Sequence, residues 1–426
     1  MTLDRKQFLL GLGGAFGVLA AGTPARLGAD EDGAPWPPTA PDDTGFWRQV
    51  RAQYAIADDP VYLNTGGLGP SPRPVLAIHD LTARGLQHRV ETGHFFFEQA
   101  RGIVAGFLGA DPEELCFVRN ATEGNSIIAA GLALQAGDEV IFESHAHPGG
   151  SLPWVNQARQ RGVIVRTFEP DPASAAGNLE RVAALLSPRT KVVQVSHITA
   201  PTGVVMPVAD LARLLQPRGI WLHVDAAQST GQIPINLAEL GCDSFATSGH
   251  KWLGGPRETG VLFIRRARNE EVAPLHVGAY SSGDFDFQGQ LHYTAGARRH
   301  EYGTRNAAAV VALAEAARFH LAIGRERVAA HGAALVAQVR AGLDGCRGVT
   351  VLTPAPAELS ASMITVQFDR LDAAGAFGRL LEKHRLRCRP VTEAGLQAVR
   401  VSFHLFNTSD EAARVTAGIR DVATAA

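Results

Sequence analysis

Between about residue 110 and residue 265, short apolar runs alternate with amphipathic stretches. LCFVRN precedes a helix from Glu123, and DEVIFES precedes a helix from Pro153. GVIVRTFEP follows, then KVVQVSHI with a helix over Ala209 to Gln216, then GIWLHVDAA, CDSFATS and GVLFIRR. Apolar runs separated by helical segments predict βαβ units and a mostly parallel sheet. Such a sheet is covered on both faces, so its strands read as continuous apolar runs, as Ile220 to Val224 does. After Gly303 the pattern changes. The alanine-rich stretch Asn306 to Leu321 predicts a helix, and a second is expected from about Glu326 to Leu343. SMITVQFD and AVRVSFHLF then read as strands separated by helices. The expected fold class is α/β, with a large domain over residues 61–300 and a smaller C-terminal α+β domain over 301–426.

The first sixty residues differ in kind. Arg5 and Lys6 precede an apolar stretch from Phe8 to Ala21, too short and too glycine-rich for a good membrane span. A basic start, a short apolar run and small residues up to Ala29 describe an export signal over 1–29. Asp4 to Leu9 resembles a twin-arginine (Tat) signal with Lys6 in place of the second arginine. The expectation is a periplasmic or exported protein with no stable membrane span after processing. The alternative is a frayed amphipathic start of a cytoplasmic enzyme. Residues 30–60 are expected to form an N-terminal extended segment, of which the acidic, proline-rich part 30–45 is a tether.

Composition narrows the partners. The 426 residues carry a formal net charge of −2, which gives no support to nucleic acid as a partner. The four cysteines, Cys116, Cys242, Cys346 and Cys388, lie far apart with no CxxC. They make neither a zinc pattern nor a disulfide framework, and no metal site is expected. The glycine-rich run Gly11 to Gly17 falls in the signal segment, not between a strand and a helix, so a dinucleotide-binding reading is disfavoured.

The chemistry concentrates between Ile220 and Gly260. GIWLHVDAAQS is a buried strand ending in Asp225, and open α/β sheets bind ligands at the carboxyl ends of their strands. A second apolar strand ends in Thr247-Ser248-Gly249-His250-Lys251, followed by the turn Gly254-Gly255-Pro256. A lysine buried without a partner tends to lose its proton, which suits Schiff-base chemistry. Upstream, FVRNATEGNSIIAAGL is a strand, a polar turn and a helix. Thr122 and the N–H groups of Glu123 and Gly124 would sit at the helix N-terminus, which suits a phosphate or serves as a plain N-cap.

HVDAAQS followed by TSGHKWLGGP resembles the class V aminotransferase family of fold type I pyridoxal-phosphate (PLP) enzymes, over about Tyr62 to Ile419. That resemblance implies a seven-stranded-type sheet sandwiched by helices, with PLP as cofactor. It implies that Lys251 carries PLP as a Schiff base and moves the α-proton. Asp225 would pair with the ring nitrogen and Gln228 with the ring hydroxyl. Thr122, Glu123, Ser248 and His250 would bind the phosphate. His147, or Pro148 in a register shifted by one, would stack on the ring. Arg400 would clamp the substrate carboxylate, and Asn64 with the loop Thr65 to Pro70 would face the substrate. Thr304 would reach the phosphate of a neighbouring subunit, which makes the active unit a homodimer. Phe95 to Phe97 shapes an apolar substrate pocket or is core packing.

The stretches FLGADPEELCFVRNATEG and RVSFHLFNT resemble the isopenicillin N epimerase-like branch, some of whose exported members act in the periplasm. The resemblance implies an amino-acid or peptide substrate and transamination or epimerisation. Two alternatives stay open. One is a cysteine desulfurase or selenocysteine lyase using Cys388, which otherwise reads as a buried strand cysteine. The other is a non-catalytic PLP-fold binding protein.

Overall fold

A computed structural model describes residues 44–424. The expected export signal and the tether up to residue 43 lie outside the described residues. The strands in chain order begin with β1 (Val61–Tyr62), β2 (Leu115–Val118), β3 (Glu139–Glu143) and β4 (Ile164–Phe168). Next come β5 (Thr190–Ser196), β6 (Trp221–Asp225), β7 (Ser244–Ser248) and β8 (Gly260–Ile264). A surface pair, β9 (Ser282–Phe285) and β10 (Leu291–Tyr293), precedes β11 (Val349–Val351) and β12 (Met363–Phe368). The last three are β13 (Leu386–Arg387), β14 (Arg389–Val391) and β15 (Ala398–Ser402).

Seven strands form the main sheet in the order β2-β8-β7-β6-β5-β3-β4. β4, β3, β5, β6 and β7 run parallel, and β8 is antiparallel to both its neighbours. The expected mostly parallel, seven-stranded sheet is what the chain builds. β6, β7 and β8 are buried along their whole length, and β5 is buried except at Lys191. That requires helices on both faces, and it is why those strands are legible as unbroken apolar runs. Separate hydrophobic clusters line the sheet, one built on Val193, Leu222 and Phe245 and one on Val140, Val192 and Trp221.

A four-stranded antiparallel sheet, β11-β12-β15-β14, packs against the helices Arg325–Gly342, Ala373–His384 and Ser409–Thr424. Its core also takes in Val61 and Leu63, because β1 pairs in parallel with β13. The N-terminal end of the large unit is therefore stitched into the C-terminal sheet.

Two expectations are corrected. Residues 30–60 are not extended throughout, because Thr44–Ala52 is a helix. Phe46, Trp47 and Val50 fall on one face at helical spacing and bury against Phe319, Leu405 and Phe406. The helix expected from Pro153 begins at Pro148 instead. Proline suits the first helical position, and the His147 side chain caps the turn by accepting from Gly149 N–H at 3.0 Å.

Candidate active site

The carboxyl ends of β3, β5, β6 and β7 open on one edge of the sheet, and the turn after β2 joins them there. A cavity of about 270 Å³ sits at that edge. Its walls include Thr122, His147, Asp225, Gln228, Ser248, His250, Lys251 and Arg400, with Gly66, Gly67, Ala200 and Arg389. Eight residues singled out from sequence thus meet in one space. His147 lines it and Pro148 does not.

Lys251 follows β7, and its side-chain amine makes no hydrogen bond or ion pair among the described residues. Burial lowers its pKa to about 8, with Arg400 and Arg389 lowering it further against the opposing pull of Asp225. Asp225 ends β6. Its Oδ1 accepts from Ala227 N–H at 3.0 Å and its Oδ2 from Asn125 Nδ2 at 3.0 Å.

Arg400 lies on β15 and is 1% exposed. Its Nη1 donates to Ala200 O at 2.7 Å and its Nη2 to Asn64 Oδ1 at 3.1 Å, while Nε has no partner among the described residues. No carboxylate among the described residues lies within ion-pair distance of it, and burial lowers its pKa to about 9 against the weaker pull of Glu393. A buried, uncompensated guanidinium is costly, and a bound carboxylate would relieve it. Asn64 acts through Arg400 and does not line the cavity itself.

The upstream turn differs in detail from expectation. Asn120 caps the helix Ala121–Gly131 and takes the Glu123 N–H at 2.9 Å. The Glu123 side chain turns back to the Arg119 N–H and guanidinium. Glu123 is therefore a capping residue, and neither its N–H nor its carboxylate serves the cavity. Ser248 Oγ accepts from Ala121 N–H at 3.0 Å, and its own proton remains to give. His250 Nδ1 is buried with no partner among the described residues.

A phosphorylated pyridine matches these features. Asp225 is the only acid on the cavity wall, facing Lys251, Arg389 and Arg400, so the space favours an anion. The orphaned His250 nitrogen, the Ser248 hydroxyl and Thr122 cluster at a helix N-terminus, as a phosphate requires. Backbone closes in where side chains would block. A Cβ on Gly149 would stand 2.4 Å from Thr122 Oγ1, and one on Gly66 would stand 2.7 Å from both Arg400 Nη2 and Gln228 Oε1. The residues fit the group.

Gln228 is more committed than the sequence suggests. Its Oε1 accepts from Trp252 Nε1 at 2.8 Å and its Nε2 donates to Gly66 O at 2.9 Å, so one N–H remains. Thr304 does not line this cavity. It lies in a separate depression with Arg119, Glu258 and Tyr302. Phe96 and Phe97 are core residues and Phe95 is exposed, so the aromatic triple does not shape the cavity. Cys388 is buried in the C-terminal core, its thiol pushed up to about 12 by desolvation, and it is not on the cavity wall.

Three residues at the site escaped the sequence reading. Asn125 sits one helical turn beyond the phosphate-type turn, where nothing in sequence separates it from a helix-surface amide. Arg389 lines the cavity while paired to Glu393. Glu143 ends β3 fully buried. One of its oxygens accepts from Ser196 N–H and the other has no partner among the described residues, and burial raises its pKa to about 7.

The model of the family described as aminotransferase class-V matches residues 77–415. Isopenicillin N epimerase of Amycolatopsis lactamdurans is 31% identical over 395 residues, covering 88% of this chain and 98% of that protein. The enzyme of the same name from Streptomyces clavuligerus is 30% identical over 385 residues, covering 87% and 96%. Among solved structures, the apo cysteine desulfurase of Thermococcus onnurineus superposes with a TM-score of 0.79 at 25% identity, covering 89% of this chain and 98% of that one.

Proposed function

The chain belongs to the class V aminotransferase family, and on that premise we propose that it is a PLP enzyme. It acts at the α-carbon of an amino acid, or of an amino-acid residue in a larger molecule, as an aminotransferase or epimerase. The observation that carries this reading is the meeting of an unpaired Lys251, the acid Asp225 and an uncompensated Arg400 around one cavity.

When bound, PLP supplies a carbonyl for covalent attachment and a ring that draws electron density from the substrate α-carbon. Lys251, with its pKa lowered to about 8, is poised to act as an amine nucleophile and then to take and return the α-proton. Asp225 would hold a proton at the ring nitrogen. Thr122, Ser248 and His250 would hold the phosphate, and His147 would face the ring. Arg400, steadied by Asn64 and Ala200, orients the substrate by its carboxylate. Epimerisation would need a second acid to protonate the α-carbon from the face opposite Lys251, whereas transamination would need only Lys251 to move the proton.

Thr304 lies apart from its own chain's cavity, which supports a role in the site of a second subunit and hence a homodimer. Export through a Tat-type signal over residues 1–29 rests on Arg5, Lys6 and the apolar stretch after them.

The test is the absorption spectrum of the protein reconstituted with PLP, beside Lys251→Ala, before and after borohydride. Wild type is expected to show a visible band that borohydride abolishes, leaving the cofactor on the Lys251 peptide. A wild type that takes up no PLP overturns the reading.

A further inference from the structure

Behind Asp225 lies a row of buried polar side chains that the chemistry above does not use. Asn125 is fully buried. It donates from Nδ2 to Asp225 Oδ2 and to Gly149 O, each at 3.0 Å. The Gly149 carbonyl is available because Pro153, four residues further along the helix, has no N–H to give it. Asn125 Oδ1 lies 2.8 Å from His223 Nε2. His223 Nδ1 lies 2.7 Å from Ser244 Oγ, and the same oxygen accepts from Trp221 Nε1 at 2.7 Å.

The direction of every hydrogen in this row follows from chemistry. A carboxylate and a backbone carbonyl only accept, so the Asn125 nitrogen faces them and its oxygen faces His223. An amide oxygen only accepts, so His223 carries its hydrogen on Nε2. An indole N–H only donates, so Ser244 accepts from Trp221 and gives its own proton to His223 Nδ1. The donors run one way, from Trp221 through Ser244, His223 and Asn125 to Asp225.

We propose that Asn125 and His223 are positioning residues, which hold Asp225 fixed in orientation to receive a cofactor ring nitrogen. This rests on the PLP reading above. Asp225 has no cation within ion-pair distance among the described residues, so directed hydrogen bonds do the work that a counter-ion does elsewhere. The other titratable groups that bear on it are Lys251, which favours its charge, Glu143, whose charge opposes it, and His147. His223 cannot substitute a charge for its hydrogen bond. Both its nitrogens are engaged, one giving and one receiving, in a site dry enough to lower its pKa to about 3.

The test uses apoprotein of wild type, Asn125→Leu, His223→Leu and His223→Gln, titrated with PLP. Asn125→Leu loses the hydrogen bond to the charged Asp225 and is expected to weaken PLP binding about tenfold, and His223→Leu, which frees the Asn125 amide to turn away, is expected to weaken it about fivefold. With the carboxylate no longer fixed against the ring nitrogen, the pH midpoint of the visible band should rise by about half a unit or more. His223→Gln keeps a donor toward Asn125 and should stay within about threefold of wild type. Wild-type affinity and midpoint in both leucine variants would overturn the proposal.

Nitrogen NMR of histidine-labelled wild-type apoprotein decides the matter even where a variant does not fold. A neutral His223 with its proton on Nε2 across neutral pH is expected, and a charged ring or the other tautomer overturns the proposal. A wild type that binds no PLP sinks the functional reading first, and the nitrogen signals still judge the row of hydrogen bonds by itself.

Discussion

Gly69 lies flat against the backbone that carries Lys251. Its N–H donates to His250 O at 2.8 Å, and a Cβ built on it would stand 1.7 Å from the Lys251 carbonyl oxygen. Backbone cannot give way as a flexible side chain can, so Gly69→Ala must lift the loop or move the lysine. Overpacking of this kind costs about 1–3 kcal/mol. The variant should melt at lower temperature, and borohydride should fix less cofactor to Lys251. Labelling at the wild-type level would show that the loop can lift without disturbing the lysine.

The glycine run Thr65 to Pro70 was legible as a place of close approach, but what it approaches was not. Sequence suggested a substrate. The structure has Gly66 against Arg400 and Gln228, and Gly69 against Lys251. The same division holds across the molecule. Buried parallel strands ending in Asp225 and Ser248 are readable because two-sided burial and function both write themselves into short local runs. Asn125 and Glu143 were unreadable because their partners lie far along the chain, and Arg389 because the cavity it lines is built from distant segments although its ion-pair partner Glu393 is near. Asn125 meets Asp225 only through folding, a hundred positions apart. Glu123 misled for the opposite reason, since a helix N-terminus looks alike in sequence whether its N–H groups serve a ligand or a cap.

The lowered pKa of Lys251 makes cofactor attachment pH-dependent in a definite direction. Below about pH 8 the amine is mostly protonated and cannot attack a carbonyl, and above it the free amine predominates. The rate at which apoprotein forms the borohydride-reducible adduct should rise with pH and level off above that point. Folding stability moves the same way. The unfolded chain binds more protons between the lowered and the ordinary lysine pKa, so the apoprotein should gain stability from this group as pH rises through that window. Rapid-mixing absorbance and denaturant titrations at several pH values check both.

Arg400 is expected to separate stability from function. In the apoprotein it is a buried charge without a carboxylate, so Arg400→Met removes an unfavourable group and should leave the melting temperature equal or higher. The carboxylate clamp is lost with it. KM for an amino-acid substrate should rise about a hundredfold, near 2.8 kcal/mol. Arg400→Lys should recover little, because an ammonium cannot reproduce the planar two-point contact.

Cys388 tests the sulfur-transfer alternative. Its thiol is buried in the C-terminal core, and desolvation pushes it up to about 12. It should react with a disulfide reagent only after unfolding, as should Cys116 and Cys242, whereas the partly exposed Cys346 should react in the native protein. Cys388→Ala should cost about 1 kcal/mol of stability and leave turnover unchanged. Loss of sulfide release from cysteine in that variant would instead make the desulfurase reading the right one.

Glu301 holds the segment that carries Thr304. Its two oxygens take both Nη atoms of Arg101, at 2.8 and 2.9 Å, and Oε1 also accepts from Phe117 N–H at 2.7 Å. Arg101 is 1% exposed. Glu301→Ala would leave that guanidinium buried with only the exposed Glu98, 3.7 Å away, to oppose it, a loss of about 3 kcal/mol. Replacing both partners, Arg101→Met with Glu301→Leu, should recover much of it, because no charge is then stranded. The pair also separates two roles for Thr304. If Thr304 completes a neighbouring subunit's site, a mixed dimer of Thr304→Ala and Lys251→Ala chains retains one unaltered site and should keep partial turnover, whereas each variant alone keeps none unaltered. If Thr304 serves only local packing beside Glu301, Thr304→Ala alone should turn over like wild type and bind PLP with the same affinity.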